Sequence, residues 1–319
     1  MDMSEKPKVG ISRCLLGENV RYDGGHKRDR YLTDILGPSV EWVGVCPEVE
    51  CGLPVPRESM HLAGDSEAPR LVTLRSGVDH TERMQRWIDI RLKDLAKENL
   101  CGYVFKSKSP SSGMRDIKIY TLDGKATNQK GAGLFAKAFM ERFPLIPVED
   151  EGRLNDADLR ENFIERIFIM KRWQDLLAGS LKLADFIHFH TIHKLLLMAH
   201  SPAKLRELGK LIASCDKSTY QNVMPDYFNL MMQTVKLIAT VSKHVNVLQH
   251  ILGYFKKQLS PDEKQEALEL INHYHHGHLP LIVPVTLLNH YTRKYHEPYL
   301  GEQIYLHPHP LELMLRNHS

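Results

Sequence analysis

No stretch of about 18 consecutive apolar residues occurs in the 319-residue chain, so nothing in it is expected to span a bilayer. Charge of one sign is also missing. The 42 Lys and Arg against 39 Asp and Glu leave +3, too little for net charge alone to argue for nucleic acid. Cysteine is sparse, with five in all at positions 14, 46, 51, 101 and 215. The opening Met1-Asp2-Met3-Ser4-Glu5-Lys6-Pro7 has neither the apolar core nor the cleavage site of an export signal. A reducing cytoplasm is therefore expected, where clustered thiols bind metal or react more often than they form disulfides. No repeat of fixed period is present.

Hydrophobic residues at 42% and charged residues at 25% describe an ordinary globular chain, not a disordered one. The length suffices for two domains with separate cores. Histidine divides unevenly, three before residue 151 and fifteen after it, which points to two regions of different character.

The first region alternates strands and helices. Lys8-Val9-Gly10-Ile11-Ser12 reads as a strand, and the turn Tyr22-Asp23-Gly24-Gly25-His26 follows. A helix over 30–36 then leads into the strand before Cys46. Arg70-Leu71-Val72-Thr73-Leu74 is a further strand. Thr81 is expected to cap a helix from Glu82 to about Asn99, with Met84, Trp87, Ile88, Leu92 and Leu95 as its apolar stripe. Strands over 102–106 and 116–120, a helix over 131–142 and an extended piece over 143–148 complete a domain over 1–150. Strands separated by helices predict a mainly parallel α/β architecture.

Residues 149–154 read as the linker to an all-helical domain over 151–319. Its helices are expected at 159–177, 181–199, 203–214, 225–245, 247–258, 261–273 and 285–295. Pro225, Pro261 and Pro284 mark starts, where a missing N–H costs little.

The chemistry gathers around Val43-Gly44-Val45-Cys46-Pro47-Glu48-Val49-Glu50-Cys51-Gly52-Leu53-Pro54. Pro47 removes a donor and fixes φ, so the strand should stop at Cys46. Gly52 and Pro54 should keep Cys51 in a turn. Cys14 and Cys46 each follow an apolar strand, and parallel strands of one sheet end on the same edge. Two thiols converging on a strand-end crevice suit an iron–sulfur cluster or zinc; a buried free cysteine is otherwise just a small apolar side chain. Lys106-Ser107-Lys108-Ser109-Pro110-Ser111-Ser112-Gly113 should open onto the same crevice. Its hydroxyls, amides and lysines can hold an anionic substrate, or it is simply a connecting loop.

Ser12-Arg13-Cys14-Leu15-Leu16-Gly17, Arg21-Tyr22-Asp23-Gly24, Cys46-Pro47-Glu48 and Lys108-Ser109-Pro110-Ser111 together resemble the thiouracil desulfidase family. Phe189-His190-Thr191-Ile192-His193-Lys194-Leu195-Leu196-Leu197-Met198-Ala199-His200-Ser201 resembles the helical domain fused to such proteins in tRNA 4-thiouridine desulfidases. The resemblance implies a [4Fe-4S] cluster held by three cysteines. Its open iron would bind the sulfur of a thiolated uracil, and water would replace that sulfur without net redox.

One position departs from the family. Its third motif is Ser-Pro-Ser-Cys-Gly, whereas Ser112 stands here with both flanks intact. Serine is a far poorer iron ligand than thiolate. Cys14, Cys46 and position 112 are the expected cluster sites, with Cys51 in reserve and Cys101 behind it; Cys215 is expected in the helical core. Glu48 matches the acid of Cys-Pro-Glu and can activate water or carry a proton. Ser109 matches the family's catalytic serine, and Ser111 is the weaker candidate.

In the second region His188, His190, His193 and Lys194 fall within two turns, and His273, His275, His276 and His278 form another group. No cysteine or carboxylate joins either group at zinc spacing, so solvated or core-edge histidines are expected. Lys194, Lys204, Arg206, Lys210, Lys256 and Lys257 are candidate phosphate contacts, and Tyr254 and Phe255 beside the last two suit RNA.

The expected function is a cytoplasmic [4Fe-4S] desulfidase converting 4-thiouridine in tRNA to uridine and sulfide, with no membrane or DNA partner. Free thiouracil as the substrate, or RNA binding without catalysis, are the alternatives.

Overall fold

A computed structural model describes residues 5–317. Residues 1–4, which open the segment read as lacking an export signal, and residues 318–319 lie outside it. The chain forms two compact units, the first ending at Asp156 and the second beginning at Ala157.

The first unit runs through β1 (Lys8–Ser12), β2 (Glu41–Val45), α1 (Pro47–Glu50), β3 (Met60–Ala63), β4 (Arg70–Thr73) and α2 (Thr81–Leu95). It continues with β5 (Gly102–Phe105), β6 (Ile117–Tyr120), β7 (Ala126–Gly131), α3 (Leu134–Arg142) and β8 (Val148–Asp150). Four strands make a wholly parallel sheet in the order β2-β1-β5-β8. The others make a smaller sheet, β4-β3-β6-β7, parallel only between β3 and β6. The expected mainly parallel α/β architecture is therefore what the first unit has.

β1 lies between β2 and β5, so the chain winds first to one side of β1 and then to the other. The strand ends at that reversal leave a crevice, where open α/β sheets bind ligands. In the core of this unit Tyr103 and Phe105 of β5, tilted with centroids 4.2 Å apart, pack on Phe135 and Phe139 of α3. Such pairs each contribute about 0.5–1.5 kcal/mol beyond area burial, which ties β5 firmly to α3.

Several expected boundaries move, each for a local reason. β2 stops before Cys46 and Cys51 lies in a turn, both as expected; between them the chain makes the single helical turn α1, because Pro47 at its first position already has helical φ. Thr81 does not cap α2: its Oγ1 accepts from Leu71 N at 2.8 Å, and Asp79 Oδ1 takes the Thr81 amide at 2.9 Å instead. α2 ends at Leu95, and α3 begins at Leu134 because residues up to Gly131 pair as β7. Glu149 and Asp150, read as linker, belong to or adjoin the sheet through β8, so the first unit extends past 150 to Asp156.

The second unit is helical: α4 (Ala157–Ala178), α5 (Leu183–His200), α6 (Pro202–Ala213), α7 (Tyr220–Val235), α8 (Val241–Tyr254), α9 (Pro261–His275), α10 (Ile282–Lys294) and α11 (Pro298–Gly301). The two helices expected over 225–245 and 247–258 are α7 and α8, with the break between them at 236–240 and not at 246. Pro225 sits inside α7 and not at its start. Pro284 is inside α10, in its first turn, where its missing N–H has no intrahelical partner to lose. Pro261 does begin α9 behind the capping Ser260. Trp173 stacks flat on Phe228 at 4.4 Å in the core. Among the described residues no helix is long and apolar enough to cross a membrane.

Candidate active site

Three strand ends and one loop build the site. β1 delivers Cys14 on a single 3-10 turn, Arg13–Leu16, and β2 delivers Cys46 as the residue capping α1. The Cys46 amide donates to Glu50 Oε1 at 2.9 Å, which fixes where the thiol points. β5 runs into the loop that carries Lys106 to Ser112, tied to β1 by Lys106 N–H donating to Ser12 Oγ at 2.9 Å.

That loop is held at both ends. Glu151, just past β8, accepts from Ser107 N at 2.8 Å and Ser107 Oγ at 2.7 Å, and pairs with Lys106 Nζ. At the far end, Gly133 N–H donates to Gly113 O at 2.7 Å and Phe135 N–H to Ser111 O at 2.9 Å, stapling the loop to the start of α3. Gly133 is required for this approach. A Cβ there would stand 2.5 Å from the Ser111 carbonyl carbon.

Cys14, Cys46, Glu48, Ser109 and Ser112 line one cavity of about 550 Å³. Ser109 Oγ accepts from the Ser112 amide at 3.1 Å and lies 3.1 Å from Ser111 Oγ, which donates to Glu48 Oε1 at 2.5 Å. Glu48 Oε2 is 3.6 Å from Cys46 Sγ and 3.8 Å from Arg57 Nη2. The expected cluster and catalytic residues are thus together. Ser111 is fully buried and does not line the cavity; it braces Glu48.

Burial sets the thiol chemistry. Desolvation pushes Cys14 up to about 11, against the lowering charge of Lys106. Desolvation, then the Glu48 carboxylate, push Cys46 up to about 12. Both are neutral thiols in the protein alone, and a coordinated metal would reverse this by taking the thiolate.

The other cysteines are elsewhere. Cys51 Sγ is 3.2 Å from Glu48 O, and its side chain packs on the hydrophobic core, not in the cavity. Cys101 is buried at the opposite end of β5. Cys215, expected in the core, is only half-buried and donates to Leu211 O.

As a test of whether a cluster fits, the cavity provides two sulfurs on adjacent strand ends and, at position 112, a buried hydroxyl. Among the described residues no three His, Cys, Asp or Glu side chains form a metal-ready group. The fit is two sulfurs out of the three expected, and the shortfall is Ser112 alone.

Basic residues define the rim. Arg13 and Arg21 of the quoted motifs, Lys106 and Lys108 of the loop expected to hold an anionic substrate, and Lys27 and Arg57, which sequence reasoning missed, line the cavity, with Glu48 as the acidic member. Arg13, Arg21, Arg57 and Lys106 face Glu18, Asp23, Glu48 and Glu151. Lys27 and Lys108 are exposed, with no carboxylate partner among the described residues. Arg57 gave no signal because its place depends on backbone contacts, Nη1 donating to Val20 O at 3.1 Å and Pro54 O at 3.3 Å.

In the second unit the expected phosphate contacts sit on separate elements: Lys194 on α5, Lys204, Arg206 and Lys210 on α6, and Lys256 and Lys257 after α8. Arg206, Lys210, Lys256 and Lys257 are exposed; Lys194 and Lys204 are half-buried. Phe255 is core, whereas Tyr254 is exposed and stacks on Tyr299 at 5.4 Å. His190 and His193 are buried core groups, His190 facing Tyr227 Oη at 3.1 Å.

Two family models match the chain: 2-thiouracil desulfurase over residues 9–151, and a protein of unknown function (DUF1722) over residues 194–310. The uncharacterized protein YbgA of Escherichia coli (strain K12) is 32% identical over 156 residues, spanning 48% of this chain and 90% of YbgA. A solved structure of the [4Fe-4S]-dependent thiouracil desulfidase TudS is 33% identical, spanning 49% of this chain and 98% of TudS, with a TM-score of 0.38.

Proposed function

The chain belongs to the 2-thiouracil desulfurase family through residues 9–151 and to the DUF1722 family through residues 194–310, and on that premise we propose that it removes sulfur from thiolated uracil, with 4-thiouridine in tRNA as substrate and uridine and sulfide as products. The observation that carries the reading is the single cavity shared by Cys14, Cys46, Glu48, Ser109 and Ser112 at the carboxyl edge of the parallel sheet. Cys14 and Cys46 would hold a [4Fe-4S] cluster there, with position 112 as the third attachment point. When bound, such a cluster supplies a thiophilic Lewis acid for the substrate's sulfur.

The protein's own groups do the rest. Glu48 Oε2 takes and returns the proton of the attacking water. Ser109 Oγ accepts from the Ser112 amide and, since Ser111 gives its proton to Glu48, donates its own to Ser111 Oγ, from which it would turn to the base when substrate binds. Lys27 and Lys108 at the rim supply positive charge for phosphate, which supports a nucleotide or RNA over a free base. The helical unit, through Lys194, Lys204, Arg206, Lys210, Lys256 and Lys257, would hold the rest of the tRNA. Five free cysteines agree with a reducing cytoplasm.

Ser112 favours one second reading, RNA binding without catalysis, because it leaves the donor set one sulfur short. Anaerobic reconstitution separates the two. Ser112→Cys should bind about four irons per chain and release sulfide from thiolated tRNA, while the serine form holds less iron and releases less sulfide. A Ser112→Cys protein with a full cluster and no activity on thiolated tRNA or free thiouracil overturns the desulfidase reading. Activity on the free base alone overturns the tRNA assignment.

A further inference from the structure

Four exposed histidines, 273, 275, 276 and 278, sit at the end of α9 and take no part in the proposed reaction. The helix closes there in a Schellman turn. Gly277 adopts φ +73°, its N–H donates to Tyr274 O at 3.0 Å, and the His278 N–H donates to His273 O at 2.9 Å. This pair of bonds folds position 278 back over position 273, a contact usually filled by two apolar side chains. Here both are histidine, and their Nδ1 atoms stand 3.4 Å apart.

That spacing is what one metal ion needs. Two nitrogens each 2.0–2.1 Å from a tetrahedral centre lie roughly 3.3–3.4 Å from one another. His276 is close by, its ring centroid 6.0 Å from that of His278. Its Nδ1 faces Asn272 O at 2.8 Å and must be the donor, which leaves the Nε2 lone pair for a ligand. A histidine whose second nitrogen is committed to a carbonyl is the usual metal-binding arrangement. The carbonyl end of α9 adds favourable potential for a cation.

We propose that His273 and His278 form a preorganised two-point chelate for a divalent transition-metal ion of the zinc or nickel class, with water completing the shell and His276 as an auxiliary ligand. Imidazole nitrogen selects that class over calcium or magnesium. Among the described residues no third ligand already converges, so the site is an exchangeable one and not a closed structural one.

Titration calorimetry of the full chain with Ni²⁺ at neutral pH tests this, with His273→Gln, His278→Gln, Gly277→Ala and, as a thiol control, Cys46→Ser. One Ni²⁺ per chain is expected, weakened by more than about tenfold in either histidine variant, since losing even an outer-shell partner costs that much. Gly277→Ala keeps every ring and has open space around its new Cβ, yet strains the left-handed turn, so it should also weaken binding. Cys46→Ser should bind Ni²⁺ as the unaltered chain does. Unchanged binding in both histidine variants, or its loss in the thiol variant alone, overturns the site and leaves the Nδ1 contact as a hydrogen bond between neutral rings.

Discussion

Glu48 meets three partners through two oxygens: Ser111 Oγ at 2.5 Å, Cys46 Sγ at 3.6 Å and Arg57 Nη2 at 3.8 Å. A carboxylate so held is oriented before substrate arrives. Replacing it by the near-isosteric amide in Glu48→Gln should leave the fold and the iron content alone while lowering sulfide release by about 10²–10⁴-fold, the usual weight of a general acid–base group. Sulfide release measured against iron per chain decides between this and loss of the cluster. Ser111→Ala acts one step back. It strips Glu48 Oε1 of its short hydrogen bond within a buried loop, so a stability cost of about 1–3 kcal/mol is expected by denaturant titration, with weaker activity at unchanged iron content. Cys46 and Glu48 were legible in sequence because a β-branched strand, a proline and an acid follow in order. Arg57 was not, because no pattern marks a side chain held by the carbonyl of Val20, 37 residues away, and by that of Pro54 on its own loop.

At the scale of elements, the site depends on a close approach between the Ser109–Gly113 turn and the first turn of α3. Gly133→Ala would force its Cβ to 2.5 Å from the Ser111 carbonyl carbon and 2.6 Å from its oxygen, both backbone atoms that cannot step aside. Overpacking of this kind costs about 1–3 kcal/mol, and the displaced turn carries Ser109, Ser111 and position 112 with it. In the Ser112→Cys background, Gly133→Ala should therefore melt earlier and take up less iron on reconstitution. Gly209→Ala is the contrasting case. Gly209 lies within α6 with nothing near its missing Cβ, so alanine should raise stability by about 0.5–1 kcal/mol, read as a higher melting temperature. The strands that end at the site were visible as short apolar runs. β7, with Thr127, Asn128, Gln129 and Lys130, was not, because a solvent-exposed edge strand is defined by its pairing with β6 and not by hydrophobic alternation.

At the scale of the molecule, the uneven histidine count becomes a pH property of the helical unit. Burial lowers His193 and His244 to about 3, and His190 and His309 to about 4, all from 6.5. Each ring therefore has a lower pKa folded than unfolded, and between those values the unfolded chain binds more protons. Stability is then fully present above 6.5 and falls as pH drops towards 3–4. Glu165 acts in the same direction. Burial opposes its ionisation, but the hydrogen bond with His200 and the charge of Arg316 outweigh that and hold its carboxyl below the ordinary range, so its contribution also fades in acid. Helical circular dichroism of the full chain reports mainly the second unit, where most of the helix lies. Its thermal midpoint should be flat above 6.5 and decline steadily on acidification from there. His193→Gln should flatten part of that slope while lowering the plateau, since the ring's Nδ1 donates to Phe189 O at 2.7 Å. A midpoint that rises on acidification would mean that the buried rings are charged in the folded protein, and the sign of the argument would reverse.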